Sequence, residues 1–63
     1  MSDFKTRLQA EQSELQEKLT KLNSFIGTEN FDKIDDVQKA LLKTQAQAMV
    51  TYLTCLDQRL VRL

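Results

Sequence analysis

A single glycine, Gly27, stands near the middle of a 63-residue chain that contains no proline. The residues on either side of it are rich in Leu, Gln, Lys, Glu and Ala, which favour helix. Glycine readily adopts the left-handed conformation that closes a helix, so we expect a first helix to end at Ile26 with Gly27 in that conformation. The sequence therefore predicts one all-α domain over residues 1–63, with a helix at about 3–26, a loop at about 27–35 and a helix at about 36–63.

Polar residues at the expected helix starts support these boundaries. Ser2 is suited to cap the first helix, and Asp3 places a negative charge in its first turn, where the helix dipole favours one. Asp35 is suited to cap the second helix. Phe31 and Ile34 are apolar residues among turn formers, so we expect them to pin a loop that has room for a helical turn.

The spacing of apolar residues identifies the faces that the two helices bury, because residues three and four apart lie on one side of a helix. Helix one carries one such row: Leu8, Gln12, Leu15, Leu19, Leu22 and Ile26. Helix two carries a similar row, here called the inner row: Leu42, Ala46, Met49, Leu53, Leu56, Leu60 and Leu63. Because the connection is short, we expect the two rows to face each other in an antiparallel two-helix hairpin.

Helix two carries a further row that one neighbouring helix cannot cover. This second row consists of Leu41, Gln45, Ala48, Tyr52, Cys55, Arg59 and Arg62. A lone two-helix hairpin buries too little apolar surface to offset the entropy lost in ordering its residues. We therefore expect a homo-oligomeric helical bundle, either a dimer or a larger ring-symmetric assembly. The expected subunit interface contains Leu41, Ala48, Met49, Tyr52, Cys55 and Leu56.

Composition excludes several classes of function. The chain has nine basic and nine acidic residues, no histidine and one cysteine, which rules out an internal disulfide and any histidine-based metal site or catalytic triad. A hairpin of this size has little room for a catalytic cavity, so we expect neither an enzyme nor a cofactor. No apolar run is long enough for a membrane span or a secretory signal, which favours a soluble cytosolic protein without a membrane partner.

Two groups of chemically suggestive residues have simpler structural interpretations. We interpret Cys55 as a small buried hydrophobic residue. The cluster Asp32, Asp35 and Asp36 lacks the glycine and the terminal glutamate of a calcium loop, so we interpret these residues as cap and turn residues.

Charged residues mostly have the spacing of exposed helix pairs, and one group at the chain ends is different. The expected pairs are Glu14 with Lys18 and Glu17 with Lys21. In an antiparallel hairpin the two chain ends also meet, which brings together a small basic cluster of Lys5, Arg7, Arg59 and Arg62. This cluster either complements the dipole of helix two or binds phosphate groups.

Tyr52 is an aromatic residue with two open interpretations. Its ring can anchor an oligomer interface with the hydroxyl group at the edge. Alternatively, the ring offers a flat surface for a nucleobase, and neighbouring side chains donate hydrogen bonds to phosphate or base across a subunit boundary. The ligand-binding residues in this second interpretation are Lys43, Thr44, Gln45, Gln47, Tyr52 and Arg59.

The order of these residues resembles that of a known group of small proteins. From Phe4 through the leucines of both helices to Arg59, the chain looks like a family of small phage-encoded helical-hairpin proteins. The segment Leu42-Lys43-Thr44, followed by Ala48-Met49 and Tyr52, also resembles the hairpin domain of phage anti-CBASS and anti-Thoeris sponges. It differs from the sponge pattern, which carries acidic residues and tryptophan in this helix, in having Gln47 and no tryptophan.

The resemblance implies a function by sequestration. Such sponges assemble as oligomers, often hexamers, and hold cyclic di- or trinucleotide immune messengers between subunits without hydrolysing them. For this chain it implies a phage counter-defence protein in the host cytoplasm, with Thr44, Met49 and Tyr52 at matching positions.

Two alternatives belong to other functional classes. One is a protein-interaction module that inhibits a host enzyme through the second row. The other is a dimeric four-helix regulator that binds RNA. A formal net charge of zero weighs against nucleic acid as a partner, because phosphate contacts require a basic face.

Overall fold

The computed structural model describes residues 3–63, and the regular structure in that range is entirely helical. It consists of α1 (Asp3–Ile26), a short α2 (Glu29–Asp32) and α3 (Asp36–Val61). The prediction of an all-α fold is therefore confirmed. Ser2, the expected cap of the first helix, lies outside the described residues. None of the helices within residues 3–63 combines the length and the apolar content needed to cross a membrane.

The end of α1 differs from the expected glycine closure. Gly27 does not have a positive φ, so the prediction of a left-handed conformation there is wrong. Instead, two successive backbone hydrogen bonds between residues three apart form the turn. The Gly27 N–H donates to the Ser24 carbonyl (3.2 Å), and the Thr28 N–H donates to the Phe25 carbonyl (3.0 Å). The Thr28 hydroxyl donates a further bond to the Phe25 carbonyl. These bonds satisfy the Ser24 and Phe25 carbonyls near the end of α1 without a left-handed residue.

The connecting segment is anchored by Phe31, as its sequence predicts. The Thr28 hydroxyl accepts a hydrogen bond from the Phe31 N–H (3.3 Å), which caps α2. The Phe31 side chain is 4% exposed and contacts Phe25 edge to face, with the ring centres 6.0 Å apart. Ile34 is half-buried. The segment from 27 to 35 thus contains one short helix held against the long ones.

Asp35 caps α3, as expected. Its carboxylate accepts hydrogen bonds from the backbone N–H groups of Val37 (3.0 Å) and Gln38 (3.3 Å). Two of the free N–H groups at the helix start are therefore satisfied by one side chain. Asp36, the next residue, pairs with Lys39 at 3.5 Å. This local role accounts for two of the three aspartates considered above.

The long helices lie side by side in opposite directions. Near the chain ends, the Arg59 guanidinium lies 6.0 Å from the centre of the Phe4 ring, and the Gln12 amide donates to the Asp57 carboxylate. The chain is a narrow rod, with Cα extents of 48 × 15 × 12 Å. Its buried apolar residues line the contact between the helices and the anchored segment: Leu8, Leu15, Leu19, Phe31, Ala46 and Leu56.

The inner row follows this contact as far as the last turn of α3. Leu56 is completely buried, and Met49, Leu53 and Leu60 pack against the cluster that it forms with α1. Leu63 was expected to continue the row, but it follows the end of α3 and is exposed. The inner row therefore ends at Leu60, because the helix stops before the next position on that face.

Candidate functional site

The second row of α3 lies outside the contact with α1. Leu41 is 56% exposed and Tyr52 is 46% exposed, and the small residues Ala48 and Cys55 are exposed on the same side. Val37 is also exposed and extends this surface by one turn toward the start of α3. A surface with this many apolar groups in line is typical of a site that another molecule covers.

Two residue assignments on this helix need correction. Cys55 is exposed in the chain, so its interpretation as a buried residue is wrong at the level of a single chain. Leu56 is completely buried beside Leu8 and Leu15, so it has no surface left for a subunit interface. The two residues are neighbours in sequence but point about 100° apart around the helix, which separates their environments. Met49 is half-buried against the same core.

Three of the six expected ligand-binding residues share one line on the protein surface. Gln45, Tyr52 and Arg59 are exposed and follow one another at intervals of seven residues, which is about two helical turns. They present an amide, a phenol ring and a guanidinium along one side of α3. The structure therefore groups these three residues within the second row.

The other three expected ligand-binding residues do not join this line. Lys43 is nine residues from Tyr52, about two and a half turns, and its ammonium lies 5.8 Å from the centre of the Phe31 ring. The Thr44 hydroxyl donates to the Ala40 carbonyl (3.0 Å), so its hydrogen is already used within the helix. Gln47 lies on the side away from Tyr52. On a single chain, these residues form no common site with Tyr52.

The basic cluster at the chain ends is only partly assembled. Arg7 and Arg59 line one groove of about 220 Å³ together with Phe4, Leu8 and Glu11. The Arg7 guanidinium pairs with Asp3 at 3.4 Å. Arg62 donates to the side chain of Gln58 (3.0 Å), one turn back on its own helix. The groove therefore combines two arginines with an aromatic ring at one end of the second row.

A second groove was missed by sequence reasoning. It has a volume of about 440 Å³ and lies on the flank of α3 that carries Asp57. It is lined by residues of both long helices: Gln12, Ser13, Gln16, Glu17, Leu53 and Asp57. The signal that could have revealed it is Gln12, the one polar residue in an otherwise apolar row of α1, since its amide bonds to Asp57.

The described residues contain no arrangement of acidic and cysteine side chains that could hold a metal ion. Of the expected ion pairs, Glu17 and Lys21 meet at 3.2 Å and are both exposed. Such pairs contribute little, so the charge pattern of α1 marks a solvent-facing surface.

Comparison with known proteins identifies the family. No curated protein and no solved structure matches the chain. The model of the Sequestin family matches residues 2–62, which is nearly the whole sequence. The chain therefore belongs to the Sequestin family.

Proposed function

We propose that this protein sequesters a cyclic oligonucleotide immune messenger by binding it between subunits without hydrolysis. The observation that carries the proposal is Tyr52, whose ring is 46% exposed on the uncovered side of α3, between Gln45 and Arg59. The family name, Sequestin, is compatible with the capture of a ligand. In this proposal the protein acts in the cytoplasm of a phage-infected host and lowers the free concentration of the messenger.

The three side chains match the parts of a cyclic nucleotide. An aromatic ring stacks on a nucleobase, a contact worth about 1–3 kcal/mol. The Gln45 amide both donates and accepts hydrogen bonds, as a base edge requires. The Arg59 guanidinium offers a planar set of donors that suits a phosphate. Successive members of the line are about 10 Å apart along the helix, so one extended ligand can reach two of them.

One rod provides only one wall of such a site. The second row is a convex helix face, and a bound nucleotide there would keep most of its surface in water. Small-molecule sites usually bury most of their ligand, so a second wall is required. In the proposal, other copies of the chain supply that wall, in an oligomer between a dimer and a hexamer. No nucleophile, base or metal is needed, because capture alone removes the messenger.

Isothermal titration calorimetry with a panel of cyclic di- and trinucleotides tests the proposal. We expect saturable heat with at least one member, at a fixed ratio of ligand to chain. The ligand released by denaturing the complex should elute unchanged on chromatography, since it is bound and not hydrolysed. Absence of heat from every member at tens of micromolar protein would contradict the proposal.

A pair of variants on α3 tests whether Tyr52 is the contact. Tyr52→Ala should weaken nucleotide binding by at least tenfold, which corresponds to about 1.4 kcal/mol. Val50→Ala is the matched control, because Val50 has a similar exposure of 42% but lies about 160° away around the helix. Equal affinity for both variants would remove Tyr52 from the site.

A protein-interaction module is the second candidate, and the exposure of Leu41 and Val37 favours it. These apolar side chains suit a protein surface as well as a subunit contact. Native mass spectrometry of freshly purified protein separates the two functions. A retained small molecule supports sequestration of a nucleotide, and a stoichiometric host protein supports the interaction module.

A further inference from the structure

We infer that a second copy of the chain covers the second row, with its α3 antiparallel to the first α3 and a two-fold axis at Ala48. The inference rests on the proposed function, because it specifies the subunit contact that completes the same site. Three properties of the described residues support it: the exposed area, the charges at the ends of α3, and the position of the smallest side chain in the row.

The exposed area is too large for a compact monomer. The chain has a mass of 7.3 kDa and exposes 4878 Å². A compact monomer of that mass exposes about 4,200 Å². The excess of about 700 Å² is close to the ~800 Å² that each partner buries in a typical stable interface. One further contact of ordinary size would therefore lower the exposed area of the chain to the value expected for a compact protein of its mass.

The charges at the ends of α3 favour the antiparallel direction. The start of α3 has two carboxylates, the cap Asp35 and Asp36, against the single lysine Lys39, whereas its end has Arg59 and Arg62 against the single carboxylate Asp57. Before Arg59, the second row has no charged side chain. A parallel pair of helices would place Arg59 beside its own copy, and like charges across an interface disfavour it. An antiparallel pair brings the basic end of each helix to the acidic end of the other.

The smallest side chain in the row sets the register. Ala48 lies midway between Val37 and Arg59, and midway between Leu41 and Cys55. A small residue at the crossing point lets two helices approach closely, at about 8 Å between axes. With the axis at Ala48, Leu41 faces Cys55 of the partner subunit, and Val37 faces the partner's Arg59.

This register also completes the nucleotide site. Gln45 and Tyr52 are separated from Ala48 by three and four residues on opposite sides. Residues that are equally far from Ala48 face each other directly across the axis. Each Tyr52 therefore lies beside Gln45 of the partner subunit, offset from it by one residue. The interface then contains two equivalent pairs of a ring and an amide, one on each side of the axis, and neither pair exists on a single chain.

Disulfide cross-linking between chains tests the direction and the register, because a disulfide requires Cα atoms within about 7 Å. Leu41→Cys, with Cys55 retained, should form a covalent dimer under mild oxidation, and Ala48→Cys in a Cys55→Ser background should do the same across the axis. In the unmodified chain the two Cys55 residues would be about 21 Å apart along the helices and should not cross-link. Val50→Cys in the Cys55→Ser background is the control on another side of α3, and it should remain monomeric on a non-reducing gel.

The outcomes distinguish this inference from the proposed function. Efficient Cys55 to Cys55 cross-linking in the unmodified chain, without the Leu41→Cys product, would indicate parallel helices and overturn the inference. A monomeric mass of the unmodified protein by light scattering, independent of concentration, would overturn it as well. If the two expected cross-links form but no cyclic nucleotide binds, the inference stands and the proposed function fails. If a nucleotide binds but the cross-links do not form, the inference fails alone.

Discussion

The inner row and the second row of α3 both contain apolar side chains, but these have different surroundings. Leu56 in the inner row is completely buried against α1, whereas Leu41 in the second row is 56% exposed. The two leucines are on one helix, and only about 60° around its axis separates them. The helix α1 has a single apolar row, so it can cover one side of α3 only. The contrast indicates that α1 covers the inner row, and that the second row remains available for another molecule.

The largest expected effect is a loss of stability that distinguishes the inner row from the second row. Leu56→Ala should lower the free energy of unfolding by about 2–5 kcal/mol, because it removes buried methyl groups and leaves a cavity. Leu41→Ala is the matched control and should change it by less than about 0.5 kcal/mol in dilute protein. Urea unfolding followed by circular dichroism measures both. Equal losses would show that the two rows are buried alike.

The next effect concerns association. Ala48→Glu should weaken self-association by at least tenfold, or about 1.4 kcal/mol, because two like charges would meet at the axis. Gln47→Glu adds the same charge one position away, on a side that faces neither α1 nor the inferred second copy, and should leave association unchanged. Sedimentation velocity over a range of protein concentrations gives the strength of self-association of each variant. A similar response from the two variants would place the interface elsewhere.

The cap of α3 supports both rows, because they share one helix. Asp35→Ala should lower the free energy of unfolding by about 1 kcal/mol, since it removes the acceptor for the Val37 and Gln38 N–H groups. Asp32→Ala removes a nearby carboxylate that does not cap α3 and should have a smaller effect. Thermal unfolding at fixed concentration compares them. An equal shift in the unfolding temperature of both variants would show that Asp35 stabilises α3 through its negative charge and not through its two cap hydrogen bonds.

Gly27, which follows the end of α1, should tolerate a larger side chain. Gly27→Ala should raise the free energy of unfolding by about 0.4–1 kcal/mol, because alanine restricts the unfolded chain and no positive φ has to be maintained. An added Cβ would lie 3.7 Å from the Ser24 carbonyl oxygen, an ordinary contact. The measurement is urea unfolding, and a destabilised variant would argue for a left-handed residue there.

The smallest effect is expected on the outer surface of α1. Glu17→Gln removes the exposed pair with Lys21 and should change the free energy of unfolding by at most about 0.5 kcal/mol. Glu14→Gln, at a site with the same spacing to Lys18, is the comparison. If Glu17→Gln changed nucleotide affinity, the groove beside Asp57 would have to be included in the binding site.

Much of the fold could be predicted from the sequence because helix periodicity and caps are local. The two long helices, the Asp35 cap and the anchor at Phe31 follow from residues close together in the chain. The geometry at Gly27 was missed because residue type alone did not reveal that Thr28 and two backbone bonds complete the turn.

The candidate site was less predictable, because chemical type does not fix direction around a helix. Lys43 and Gln47 have suitable donors but lie on other sides of α3 from Tyr52. Leu56 has the apolar character of an interface residue but is already covered by α1. The contact between two copies depends on their relative register, and periodicity within one chain carries no information about that register.

The narrow shape of the chain has a consequence for how much it can capture. A binder that acts by stoichiometry removes one molecule for each occupied site, so its capacity per gram depends on the mass of polypeptide behind that site. A rod 12–15 Å across has no deep interior to fill, and each chain weighs only 7.3 kDa. Under the proposed function, a phage that must neutralise a rapidly rising host signal would therefore obtain many sites from a modest amount of translation.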